Sequence, residues 1–138
     1  DGTFDITSDG DGISAGNWLQ ADGGVYTVKA GGGRRIDSER GKYSLDSADD
    51  TIHSNANITI SDGEFTLASG NDGIHADSAT TISGGTIDIT ESYEGIEGLS
   101  IDITDGDTTV TASDDGLNAT GGNDSSGFSG SRKCGFSF

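Results

Sequence analysis

Tyr43-Ser44-Leu45-Asp46-Ser47-Ala48-Asp49-Asp50-Thr51-Ile52-His53-Ser54 is followed by Phe65-Thr66-Leu67-Ala68-Ser69-Gly70-Asn71-Asp72-Gly73-Ile74-His75-Ala76 and by Ile87-Asp88-Ile89-Thr90-Glu91-Ser92-Tyr93-Glu94-Gly95-Ile96-Glu97-Gly98. These are three versions of one phrase. The acid at its centre recurs at Asp50, Asp72 and Glu94, 22 residues apart each time, and again at Asp115 after 21. A fixed period in this range marks a solenoid, in which one coil cannot bury its apolar face until a neighbour stacks on it.

Working outward, the first coil runs Phe4-Asp5-Ile6, Asp11-Gly12-Ile13, Leu19-Gln20-Ala21 and closes at Asp22-Gly23-Gly24. Alternation places Phe4, Ile6, Ile13 and Leu19 inside and Trp18 on the opposite face. The second coil opens with Tyr26-Thr27-Val28 and then departs from the pattern, with Gly31-Gly32-Gly33 where the acid should stand. It reads as shortened or irregular over 31–42, a segment that with Lys29 holds five of the seven basic residues: Lys29, Arg34, Arg35, Arg40 and Lys42. The regular coils predict inward ladders Tyr43–Phe65–Ile87, Leu45–Leu67–Ile89, Ile52–Ile74–Ile96 and Ile60–Ile82–Ile103. Asp62-Gly63, Gly84-Gly85 and Asp105-Gly106 are turn signals suited to positive φ. A sixth coil starts at Thr108-Thr109-Val110, and the composition from 127 to 138 is that of a polar tail or terminal loop.

The expected fold is therefore all-β: a three-sided parallel β-helix of five to six coils of about 22 residues, spanning 1–126. With strands about 4.8 Å apart, the rod is roughly 25 Å long. The 24 glycines and the absence of proline suit many short strands joined by tight turns. No window has apolar residues at helical spacing, and no apolar run is long enough to span a bilayer.

The net charge of −17 argues against nucleic acid or an anionic membrane as partner and makes cations the natural counterpart. Stacking brings Asp50, Asp72, Glu94 and Asp115 into one column, with Asp49, Asn71 and Asp114 beside it. Two such charges about 5 Å apart repel by roughly 3 kcal/mol at an effective dielectric of about 20. Calcium fits that spacing, because its oxygen ligands lie at about 2.3–2.6 Å and it accepts six to eight of them; magnesium, at about 2.0–2.1 Å, does not. A solvated acidic face screened by salt is the plainer alternative. His53 and His75 also share a column, a geometry that suits zinc or copper. Ser14, Glu97 and Asn118 hold the same position on other coils, which reads as a tolerant surface site. The single Cys134 cannot form a disulfide within the chain.

The ordered set Ser47–Ser54, Asn71–Asp77, Ser92–Gly98 and Ser113–Ala119 resembles bacterial carbohydrate-binding domain-containing proteins, secreted right-handed parallel β-helices similar in shape to pectate lyases. The resemblance covers Thr3 to about Ser126. It implies calcium held at Asp49, Asp50, Asn71, Asp72, Glu94, Asp114 and Asp115, attachment to plant cell-wall polysaccharide or another acidic glycan, and a secreted or cell-surface location. The first functional expectation is thus a non-catalytic, calcium-stabilised glycan-binding module, with Trp18, Tyr26 and Tyr93 as stacking faces. A second is the subunit of a filament built by head-to-tail stacking of coils. A third is a calcium-dependent polysaccharide lyase with Lys29, Arg35 or Lys42 as base, which the absence of a basic residue from the acid column disfavours. An ice-binding solenoid is a distant fourth, since Thr59, Thr81 and Thr109 form no continuous paired threonine face.

Overall fold

Short apolar-alternating segments separated by glycine and acid turns can bury a face only by stacking, and the chain does so throughout. The computed structural model describes residues 2–31 and 50–119, and these contain strands, turns and bends without a helix. The strands are β1 (Thr3–Ser8), β2 (Ile13–Ala15), β3 (Trp18–Ala30), β4 (Ile52–Ser54), β5 (Asn57–Ala68), β6 (Ile74–Ala76), β7 (Ala79–Glu91), β8 (Ile96–Gly98), β9 (Ser100–Val110) and β10 (Leu117–Ala119). They form two five-stranded parallel sheets, β1-β3-β5-β7-β9 and β10-β8-β6-β4-β2. Each turn of chain adds one strand to each sheet, giving a β-solenoid of about four turns.

Inside, like residues stack on like. Ile13, Ile52, Ile74, Ile96 and Leu117 form one ladder, and Ile6, Val28, Leu67, Ile89 and Val110 another. Phe4, Tyr26 and Phe65 continue into Ile87, with the three rings stacked at centroid distances of 4.8 and 4.6 Å. Ring spacing close to strand spacing lets each ring lie flat on the next, which adds to the area each buries.

The expected ladders through Tyr43 and Leu45 are corrected here. Phe65 pairs with Tyr26 and Leu67 with Val28, so the coil beneath β5 is the one that opens at Tyr26. In the other sheet β2 pairs directly with β4, Ile13 on Ile52. No ladder position is left for a separate coil between them. Tyr43, Leu45 and the irregular segment 32–42 lie outside the described residues, as do the tail 127–138 and Cys134. A further inward ladder, Leu19–Ile58–Thr80–Ile101, joins the expected Ile60–Ile82–Ile103 ladder two residues along the same strands.

The glycine turns are corners within long strands rather than breaks between strands. Gly24, Gly63, Gly85 and Gly106 have φ of 109°, 121°, 93° and 98°, and the pairing register slips at Asp22/Val25 and Ser83/Thr86. A side chain there would be strained in every coil, which is why the column is glycine throughout.

Candidate functional site

The acid turn lies between the end of one sheet and the short strand of the other. Its backbone is stitched from coil to coil: Gly12 N–H donates to the Asp50 carbonyl at 3.0 Å, Thr51 to Asp72 at 3.1 Å, Gly73 to Glu94 at 3.0 Å and Gly95 to Asp115 at 2.9 Å. Asp50, Asp72, Glu94 and Asp115 are therefore one column, as their spacing implies, and Asp11 extends it by one coil.

The first three are not on the surface. Asp50 is 0%, Asp72 3% and Glu94 6% exposed. Burying ionised carboxylates is costly unless each is hydrogen-bonded, and the partners come from the neighbouring coil. Asp50 Oδ1 accepts from Asp72 N–H at 3.0 Å and from Asn71 Nδ2 at 3.1 Å, while Oδ2 meets His75 Nδ1 at 3.1 Å. Asp11 repeats the arrangement, accepting from Asp50 N–H at 3.1 Å and meeting His53 Nδ1 at 3.3 Å. Asp72 has the Glu97 carboxylate within 4.8 Å, and Glu94 accepts from Asn118 Nδ2. The pairings Asp11–His53, Asp50–His75 and Glu94–Asn118 are one contact made three times, and Glu97 takes the same position against Asp72. The outward residue of each short strand closes over the acid of an adjacent coil.

The histidine position is consequently not a tolerant surface site. His53 and His75 are half-buried, with ring centroids 5.0 Å apart. His53, His75 and Asn118 each set a nitrogen against the facing acid, whereas Glu97 sets a second carboxyl against Asp72. Asp77, Asp11 and Glu97 belong to this network and are missing from the set of ligands drawn from the sequence. The recurrence of Asp11-Gly12-Ile13 ahead of the first short strand is the signal that locates Asp11.

Burial pushes the Asp72 carboxyl well above its ordinary value of 3.8, and the charges of Asp50, Glu97 and Glu94 push it further. For His75, burial works downward from 6.5, but the hydrogen bond and charge of Asp50, with Glu97 and Asp77, outweigh it and the ring titrates high. The upper end of the column is short of positive charge.

Donor chemistry separates the proposed ligands. Asp50 does not suit calcium, because its oxygens already face Asn71, Asp72 N–H and the His75 ring. Asp72, with Glu94 and Glu97 close enough to raise its carboxyl, offers only oxygen and fits a hard cation. Asn71 is engaged through its amide nitrogen. Asp115 is half-buried, Asp114 is exposed with its N–H on the Tyr93 carbonyl at 2.9 Å, and Asp49 lies outside the described residues.

The three aromatic residues separate as well. Trp18 is 57% exposed on the outer face of β3. Tyr26 is sandwiched between Phe4 and Phe65, and its hydroxyl donates to the Gly23 carbonyl at 3.0 Å, so neither ring face is available for stacking; this corrects its place among the sugar platforms. Tyr93 is half-buried at the acid turn. Around Trp18 the outward residues are polar: Asn57 beside it, then Gln20, Thr59, Thr81 and Asp102 in register. Asp22 is fixed by Gln20 Nε2 and Ser61 Oγ, each at 2.6 Å. A shallow groove continues from Gln20 and Asp22 over the glycine corners to Asp62, Glu64 and Thr86.

A family model described as "Carbohydrate-binding domain-containing protein" matches residues 1–98. The chain belongs to this family. The matched span includes β1 to β8, and with them Trp18, the polar row beside it and the column from Asp11 to Glu94. Comparison of this carbohydrate-binding domain-containing protein with curated proteins and with solved structures gave no match.

Proposed function

We propose that the protein is a non-catalytic glycan-binding module acting outside the cell, and that it holds its ligand on the outer face of β3, β5 and β7. The exposure of Trp18 within a row of polar side chains carries this reading. A sugar ring presents an apolar C–H face to an indole and hydroxyls to its surroundings, and here the indole has Asn57 beside it and Gln20 and Thr59 next along the strands, with the pre-fixed Asp22 carboxylate further along β3. Asp22, Asp62 and Glu64 line the groove, so the ligand class that fits is a neutral polysaccharide; a uronate-rich chain would need a bridging cation. Retention on insoluble polysaccharides tests it. The protein should be retained by a neutral glycan and Trp18→Ala should lose at least tenfold in retention, whereas equal retention of the variant defeats the assignment.

Calcium belongs in this reading as a stiffener at Asp72, Glu94 and Glu97, remote from the sugar face. Chelation with EDTA should then lower the melting temperature and leave glycan retention intact in the folded protein; an unchanged melt removes calcium from the account. Catalysis draws no support from the basic residues: Lys29 is exposed on β3, and Arg35 and Lys42 lie outside the described residues. Head-to-tail assembly of coils is the second reading. Sedimentation at rising concentration distinguishes it, since an assembling chain grows and a simple binding module does not.

A further inference from the structure

The chain's two histidines stand in adjacent coils, in register, on the outer side of the second sheet. Each turns Nδ1 toward a carboxylate: His53 to Asp11 at 3.3 Å, His75 to Asp50 at 3.1 Å. Facing an ionised carboxylate, Nδ1 carries the proton, which leaves the Nε2 lone pair of each ring pointing away from its partner. Both Nε2 atoms approach the same oxygen, Asp77 Oδ1, at 3.8 Å from His53 and 3.4 Å from His75. Glu97 Oε1 stands 3.7 Å from His75 Nε2.

We propose that His53, His75 and Asp77 form a site for a first-row divalent transition ion of the zinc type, with Asp11 and Asp50 as the carboxylates that orient the two rings. Donors about 2.0–2.1 Å from a tetrahedral zinc ion stand about 3.4 Å from one another. Asp77 stands at that edge from His75, 3.4 Å, and slightly beyond it from His53, 3.8 Å, while the two ring centroids are 5.0 Å apart and tilted, so an ion would draw the rings closer together as it binds. A carboxylate hydrogen-bonded to the far nitrogen of a ligating imidazole is the usual device that fixes its tautomer and raises its basicity, and it is built here twice. Imidazole nitrogen selects transition ions over calcium and magnesium, so this site and the oxygen-only end of the column do not compete for one ion. The two acid-rich sets that include these rings, Asp50–His53–His75 and Asp72–His75–Glu97, have ligand atoms within 4.8 Å of one another, so the ring pair sits in a strongly negative setting that attracts a cation. Asp77 is half-exposed and supplies the way in.

Titration of the full chain with cobalt(II), in millimolar calcium, tests this. One cobalt ion should bind per chain with the visible absorption of a four-coordinate ion, and zinc should displace it. His53→Gln and His75→Gln should each weaken binding at least tenfold. Asp50→Asn should weaken it by about 10–100-fold through the ring it orients. In the unsubstituted chain, where folding is not in question, the ring protons of both histidines should shift together as one equivalent of cobalt is added. Binding unchanged in both histidine variants, displacement of cobalt by calcium, or ring resonances that do not move would each overturn the proposal.

Discussion

Asp72 shows how a single side chain sets the behaviour of its turn. Its carboxyl is raised by burial and by three neighbouring acids, so the folded state holds a proton that the unfolded chain releases near 3.8. A raised acid works opposite to a salt-bridged one: folding is favoured at low pH, and stability falls as pH climbs from 3.8 through the folded value. His75 adds in the same direction. Facing Asp50, Asp72, Asp77, Glu97 and the His53 ring, it contributes stability that is present below 6.5 and is lost as pH rises through its higher folded value. Metal-free protein should therefore melt at a lower temperature in mildly alkaline than in mildly acidic buffer. Asp72→Asn should flatten that dependence, which thermal denaturation across the pH range would reveal; a melt that rises steadily toward alkaline pH would contradict it. The column itself is legible from the 22-residue spacing, because a parallel solenoid puts equivalent residues one above another. Its burial is not legible, since that depends on the outward residue of the adjacent coil folding over it. His53, His75, Glu97 and Asn118 look interchangeable until each is seen against its acid.

At the level of strands, alternation names the inward side chains well wherever the chain is regular. Ile52, Ile74, Ile96, Leu67 and Ile89 are all buried as their positions demand. Ile58 and Ile101 escape a reading that takes one apolar residue per segment, and Thr80 escapes because a threonine at that rung, buried and near the Glu97 carbonyl, looks like a surface residue. Tyr43 and Leu45 mislead for a different reason. They match the repeat in spelling, but Tyr26 and Val28 match it too, and only strand pairing decides which copy lies under Phe65. Leu67→Ala should cost about 2–5 kcal/mol, measured by denaturant unfolding, because the residue is fully buried in the ladder. The glycine after the acid is equally constrained. A Cβ at Gly73 would lie 2.8 Å from the Gly95 carbonyl and 2.7 Å from Ile89 Cδ1, so Gly73→Ala should destabilise by about 1–3 kcal/mol despite the small size of the substitution. Where the lower coil instead has Thr51, its hydroxyl donates to the Gly73 carbonyl, and the side chain there is accommodated by a hydrogen bond.

For the whole molecule, the solenoid separates its chemistry by side. The buried column binds coil to coil on one flank, and the face of β3, β5 and β7 presents Trp18 and a polar row on another. A charge of −17 spread over such a body repels anionic polymers and leaves neutral ones. That separation predicts that loss of cations affects stability while loss of Trp18 affects ligand. Because Trp18 is the only tryptophan, its fluorescence reports on the proposed binding face alone. Titration with a soluble neutral polysaccharide should shift the emission to the blue and protect the indole from acrylamide quenching, and both changes should saturate together. A glycan that binds the protein while leaving the emission and the quenching of Trp18 unaltered would contradict the account.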